Sequence, residues 1–287
     1  MKHNLFITLC LLILFLTAHI IGLFIIQKYL PTENKLPFGI EKPQFDEKTS
    51  YLPIFLTIII GTILSLILIR FKAVTLFKSW YFLSVLITLV ISFSAFIPEK
   101  IAFVLALLLA GIKIIKPNMI LHNLTEVFIY GGIAAIFVPV IGISSIIILL
   151  VLISIYDMIA VWKTKHMISL ATFQAKSKIF AGLSIPYTLK SPMQETSKMQ
   201  STRKSKPEKS SSISQAILGG GDIAFPLIFS GVMLKNFGFI AALLTSLTAA
   251  LALFMLFMVA EKKKFYPAMP FITLGSLVGY GLVLLLF

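Results

Sequence analysis

Two aspartates stand inside apolar segments of this chain, Asp157 in Ser154-Ile155-Tyr156-Asp157-Met158 and Asp222 directly after Gly219-Gly220-Gly221. A carboxylate in hydrocarbon costs roughly 2.5–3.5 kcal/mol on insertion scales and marks a functional site by default. With Glu126 counted as a loop residue, these two are the only acids expected within the spans. No span carries a central lysine or arginine set to pair with either, so a structural ion pair is poorly supported. Two carboxyl groups a few ångströms apart cannot both ionise, and they share a proton. One then activates water as a base, and the other protonates the departing amide as an acid. That is the chemistry of an aspartyl protease. On the residues alone, a proton-coupled or cation-conducting carrier could use the same aspartates, and a non-catalytic membrane scaffold could hold them as structural polar groups. Gly219, Gly220 and Gly221 weaken a helix and allow close backbone approach beside Asp222. Tyr156 either hydrogen-bonds near the pair or packs on the next helix face.

The elements that carry these residues are membrane spans. The chain has 287 residues, of which 58% are hydrophobic and only 13% charged, against about 25% charged in a soluble domain. A helix needs about 20 residues to cross the hydrocarbon. Candidate spans fall at 5–26, 52–69, 80–97, 101–116, 124–141, 143–162, 213–234, 237–259 and 267–287. The expected fold is all-α, with nine transmembrane helices. The first segment is too long for a secretory signal and has no clear cleavage motif, so it reads as a retained helix. Gly131, Gly132 and Pro139 are expected to interrupt the fifth span. Trp162 marks an interface, which sets Asp157 about 7–8 Å below it. Asp222 lies in the seventh span, reached from the same side.

The net charge of +14 is distributed by side. Lys2, Arg70, Lys72, Lys78, the basic loop 163–212 and Lys262-Lys263-Lys264 fall on one side. Lys113 and Lys116, read as loop residues there with Glu126, join them. The opposite side is almost neutral, because Lys28, Lys35, Lys42 and Lys48 are matched by Glu33, Glu41, Asp46 and Glu47, and Glu99 by Lys100. The positive-inside rule puts the N-terminus in the cytoplasm and the C-terminus outside. The excess charge is thus a topology signal, and no nucleic-acid partner is predicted. Three regions follow: 1–162 with six spans and Asp157, the loop 163–212, and 213–287 with three spans and Asp222. Within the loop, 179–187 looks ordered and extended, while 190–212 has the composition of a disordered segment. Arg203-Lys204-Ser205-Lys206 either touches anionic lipid or is simply solvated.

Cys10 is the single cysteine, and His3, His19, His122 and His166 have no ligand spacing, so no metal site is expected. His19 either bonds across helices or sits near a boundary. Asn123-Leu124-Thr125 matches a glycosylation sequon but is expected to be cytoplasmic or buried. Gly275 and Gly279 form a small-residue pair that suits close helix packing, against the helix of Asp222 or by chance.

At the aspartates the chain resembles the presenilin and signal-peptide-peptidase family of intramembrane aspartyl proteases. Tyr156-Asp157 is similar to its YD motif, Gly219-Gly220-Gly221-Asp222 to its GxGD motif, and Pro267-Ala268-Met269-Pro270 to its PAL motif, on the sixth, seventh and ninth spans. Methionine stands where the third motif has leucine. Ile223-Ala224-Phe225-Pro226 is more similar to the peptidase branch and microbial homologues, while the orientation is presenilin-like; the resemblance points to a microbial, archaeal presenilin homologue. Prepilin peptidases also use a GxGD aspartate, but they place a lysine where this chain has Ala224. The resemblance implies a catalytic dyad of Asp157 and Asp222, shaped by Tyr156, Gly219, Gly220 and Gly221. Pro267, Ala268, Met269 and Pro270 would position substrate. It further implies transmembrane-helix protein substrates cut within a cell membrane, no cofactor, no metal and no obligate accessory subunit; an oligomer stays open. An intact substrate helix hides its amides, so an unwound substrate could pair with extended backbone. Residues 179–187 and those before Pro267 are the candidates for that pairing.

Overall fold

The computed structural model describes residues 5–31, 35–43, 45–71, 73–163, 180–186, 215–260 and 266–286. Nine long helices form among them: α1 Leu5–Tyr29, α2 Tyr51–Arg70, α3 Val74–Ser94, α4 Glu99–Ile115, α5 Met119–Phe137, α6 Ile143–Met158, α7 Gly221–Phe237, α8 Phe239–Val259 and α9 Met269–Leu286. Seven of the apolar helices are long enough to cross a membrane by length and composition. Helix α6 reaches that length with the turn that continues it to Lys163, whereas α4 and α7 stop at 17 residues each. Two strands, β1 Gly182–Pro186 and β2 Gln215–Gly219, form an antiparallel hairpin sheet, with Gly182 opposite Gly219 and Ser184 opposite Ile217. The expected loop stretch 190–212, its basic run and Lys262–Lys264 lie outside the described residues.

Local sequence sets the boundaries. Asn118 caps α5 by accepting from the Ile120 N–H at 3.0 Å. Pro98 stands at the start of α4 and Glu99 fills its first turn. Gly238 separates α7 from α8 at φ +89°, a conformation that favours glycine. Buried residues of α1, α5, α6, α7, α8 and α9 share one core that also takes in Leu183 and Leu218 of the two strands. A second cluster joins α3, α4 and α5. Helix α2 buries only Ile54 and leaves most of its apolar surface outward. At the other end from the hairpin, Glu47 ties the bundle together. Its carbonyl accepts from Gly142 N–H at 3.2 Å and Ser145 Oγ at 2.6 Å, and its carboxylate pairs with Lys235 at 2.6 Å.

Several expectations are corrected. The segment 213–234 does not start as a helix: its first described residues form β2, and α7 starts only at Gly221. The third span lies at 74–94 instead of 80–97. Gly131 and Gly132 do not interrupt α5. They are contact points, because a Cβ on Gly132 would sit 2.2 Å from the Thr88 carbonyl of α3, and one on Gly131 3.1 Å from the Gly22 Cα of α1. The interruption comes later, in a 3-10 turn at Val138–Val140. Lys113 and Glu126 are not loop residues. They lie in α4 and α5, 5% and 1% exposed, and form an ion pair at 2.6 Å. The aspartates are therefore not the only acids in apolar segments. The pair is neutral, so the charge asymmetry between the two sides is unchanged. His19 is fully buried and bonds Phe15 O of its own helix at 3.0 Å.

Gly275 and Gly279 do promote close packing, but against α8 and not against the helix of Asp222. A Cβ at 275 would lie 2.7 Å from the Thr248 carbonyl, and one at 279 would lie 2.9 Å from Thr245 Cα. Gly275→Val is therefore expected to destabilise the bundle by about 1–3 kcal/mol, the usual cost of overpacking. Gly281→Ala, which meets nothing within 4 Å, should be silent. Thermal unfolding of both variants in detergent checks the contrast.

Candidate active site

Asp157 is the penultimate residue of α6, where the helix widens into a π-turn over Ile159–Lys163. Its side chain is buried at 5% exposure. Its Oδ2 accepts from the Met269 N–H at 3.2 Å. This amide is available because it heads α9, where the first N–H groups have no intrahelical acceptor. Pro270, one residue into α9, fits there without a lost bond. One turn further on, Ser154 Oγ and Thr273 Oγ1 are 2.8 Å apart, a buried clasp that fixes α9 against α6. Pro267 and Met269 are buried, Ala268 and Pro270 half-buried. The proposed substrate-positioning segment is thus assembled on Asp157. Tyr156, half-buried, precedes it on the adjacent face.

Asp222 is the second residue of α7, at the junction between β2 and the helix. Pro226 cannot donate to the carbonyl one turn back; the first turn is held by Gly220 O, which accepts from Ile223 N–H at 3.2 Å and Ala224 N–H at 2.9 Å. The three glycines leave room for different things. A Cβ on Gly219 would stand 3.1 Å from Asp222 Oδ2, so the carboxylate folds back over the strand end. A Cβ on Gly220 would meet the Tyr130 hydroxyl at 3.1 Å. Gly221 is exposed, with only the Phe225 ring near. Helices α6, α7 and α9, which carry the three motifs, pack on one another.

The hairpin is held by side chains that the sequence did not single out. His122 Nε2 bonds Gly182 O at 2.8 Å. Asn123 accepts from Ser184 N–H at 3.0 Å and donates to Ser184 O at 2.8 Å, so the discarded sequon asparagine is a backbone clamp. Glu126 and Tyr130 continue the same face of α5 at helical spacing. That spacing of His122, Glu126 and Tyr130 was the available signal. Ser154 and Thr273 gave none, since single hydroxyls in apolar helices are common. Beside Gly220 and Gly221 opens a cavity of about 440 Å³, walled by α2, α3, α5 and α7. Tyr81, Glu126 and Tyr130 form its polar end and residues such as Ile54, Ile58 and Ile228 its apolar flank. No cluster of metal ligands occurs among the described residues.

The family model described as "Signal-peptide peptidase, presenilin aspartyl protease" matches residues 48–287. Two crystal structures of a presenilin family intramembrane aspartate protease share the fold. One, in space group C222, has TM-score 0.66 and 18% identity over 98% of this chain and 99% of that one. The other, in space group P2, has TM-score 0.65 and 18% identity over 97% and 98%. A comparison with curated proteins gave no match.

The space over Gly219 is filled by a carboxylate oxygen, so any side chain there must displace it. Gly219→Ala should leave the fold intact and lower kcat by about tenfold or more, since small misplacements of a reacting group are costly. Steady-state cleavage kinetics of a membrane-embedded substrate, with circular dichroism as the folding control, measures this.

Proposed function

Because the chain belongs to the signal-peptide peptidase and presenilin aspartyl protease family, we propose that it hydrolyses peptide bonds within transmembrane segments of other membrane proteins, with Asp157 and Asp222 as the catalytic dyad. The chain is a protease and a multi-pass membrane protein. The observation that carries the finer reading is the seating of Asp157 on the Met269 amide while Asp222 closes the end of β2. In the proposed cycle the two carboxyls share one proton. The ionised one takes a proton from water, whose oxygen attacks the scissile carbonyl. The protonated one stabilises the resulting oxyanion, and proton return to the amide nitrogen lets the C–N bond break. The products are a carboxylate and an amine, with no cofactor needed.

Substrate would come laterally from the bilayer into the cavity beside Gly220, past the sparsely packed α2. Its unwound segment would pair with the hairpin, at β2 in this reading and not at 179–187 or the residues before Pro267. In an antiparallel ladder, the N–H and C=O of one residue point to the same side. Those of Ser184 are taken by Asn123 and the carbonyl of Gly182 by His122, so the outer edge of β1 is capped. Ile217 and Gly219, their ladder partners, direct their backbone groups to the opposite edge, leading to Asp222. A strand added there would carry its amides toward the dyad. All nine helices span in this reading, with the N-terminus in the cytoplasm. At 17 residues each, α4 and α7 reach about 25 Å and would meet a locally thinned bilayer.

Asp157→Ala and Asp222→Ala should each abolish product peptides from a membrane-embedded substrate while the protein stays folded; a carrier would give ion flux and no peptides. Ile217→Pro removes an N–H from the outer edge of β2 and none from the β1–β2 ladder. It should cut kcat/KM by about tenfold or more. Unchanged cleavage in this variant would refute pairing at β2.

A further inference from the structure

Glu126 is a charged residue about 10 Å along α5 from Met119, in a helix apolar enough to span. Both of its oxygens are engaged. Oε1 accepts from Lys113 Nζ at 2.6 Å and lies 3.3 Å from the Tyr81 hydroxyl, and Oε2 accepts from the Tyr130 hydroxyl. Lys113 in turn donates to Thr125 Oγ1 at 2.9 Å. A buried ion pair is weak evidence for stability, since desolvation offsets most of the attraction, and its best-attested use is to specify one arrangement among several. What it specifies here is visible in the next layer of contacts. The Tyr81 hydroxyl donates to Phe180 O at 3.0 Å, the residue before Ala181. Ala181 O accepts from Gly220 N–H at 3.3 Å. The Tyr130 hydroxyl stands where a Gly220 side chain would be. Gly220 O holds the first turn of α7, in which Asp222 stands.

We propose that Glu126, clamped by Lys113, is a positioning residue for peptide hydrolysis: it fixes Tyr130 against Gly220, next to Tyr81, whose hydroxyl holds the backbone at Phe180, and so sets where Asp222 stands. This rests on Asp222 being catalytic. Glu126 does not touch the reacting atoms in this scheme. It prevents the glycine-rich junction, which has no side chains of its own to lock it, from sampling other conformations. The charge is needed because a fixed anion accepts from the Tyr130 phenol and the Lys113 ammonium at once, and the lysine makes that anion tolerable in an apolar helix pair.

The test uses the full chain in lipid nanodiscs with a membrane-embedded substrate. Lys113→Met combined with Glu126→Gln keeps shape and removes both charges, so neither is left stranded. It should lower kcat about tenfold or more, with KM changed less than about twofold. Amide exchange at Gly220 and over 181–186 should accelerate by a similar factor. Lys113→Arg, which keeps the charge, should retain both values, and Tyr130→Phe should reproduce the kcat loss. A double variant with wild-type kcat overturns the proposal, as does lowered kcat with exchange at Gly220 unchanged. Asp222→Ala is run alongside. If it is inactive and the double variant is not, the positioning role alone fails; if it still cleaves, the dyad assignment fails and takes the positioning role with it.

Discussion

Irregular backbone at membrane depth survives only where protein or water satisfies its polar groups. The rest of this structure follows from that constraint. A strand-to-helix junction carries Asp222, and a two-stranded sheet leads into it. Each exposes N–H and C=O groups that a lipid-facing helix would hide. The polar face of α5 meets that need, with His122 and Asn123 on the outer edge of β1 and Tyr130 on the Gly220 turn. The price of a non-helical segment is thus a helix with charged and amide side chains facing inward, and that helix in turn needs Lys113 from α4.

The same constraint separates the roles of the two aspartates. Asp157 sits on a continuous helix and finds its donors at the start of another helix, α9, whose first amides are free by construction. Asp222 sits at a helix start itself, beside glycines that let its carboxylate fold back over the strand. One site is held by helix packing, through the Ser154–Thr273 clasp. The other is held by backbone pairing. The two carboxyls thus depend on different kinds of contact, Asp157 on helix packing and Asp222 on a strand-to-helix junction.

Hydropathy and charge made the helices legible, because each needs a long apolar run and little else. Boundaries failed where two signals competed. Residues 215–219 are apolar enough for a span, but the glycines after them and the partner strand at 182–186 turn them into β2. The motif residues were legible because carboxylates are rare in such segments. Glu126 escaped for the opposite reason: with two lysines nearby in sequence it read as loop charge, and only the approach of α4 to α5 shows that Lys113 neutralises it. Asn123 escaped because its task is to hold backbone atoms 61 residues away, a contact that leaves no local pattern.

The glycine run shows how a local reading can be right in chemistry and wrong in geometry. Three glycines weaken a helix, and that suggested a frayed span. In the fold they straddle the junction, with Gly219 ending β2 and Gly221 opening α7, and each position has a different neighbour: carboxylate at Gly219, phenol at Gly220, open space at Gly221. Pro226 completes the arrangement. Lacking an N–H, it donates nothing to the start of the helix, where Gly220 O accepts from Ile223 and Ala224. The start of α7 is therefore tied to Gly220. That residue is gripped from two sides, by Ala181 through its amide and by Tyr130 across its missing side chain. Local sequence makes the junction soft, and distant side chains decide where it stands.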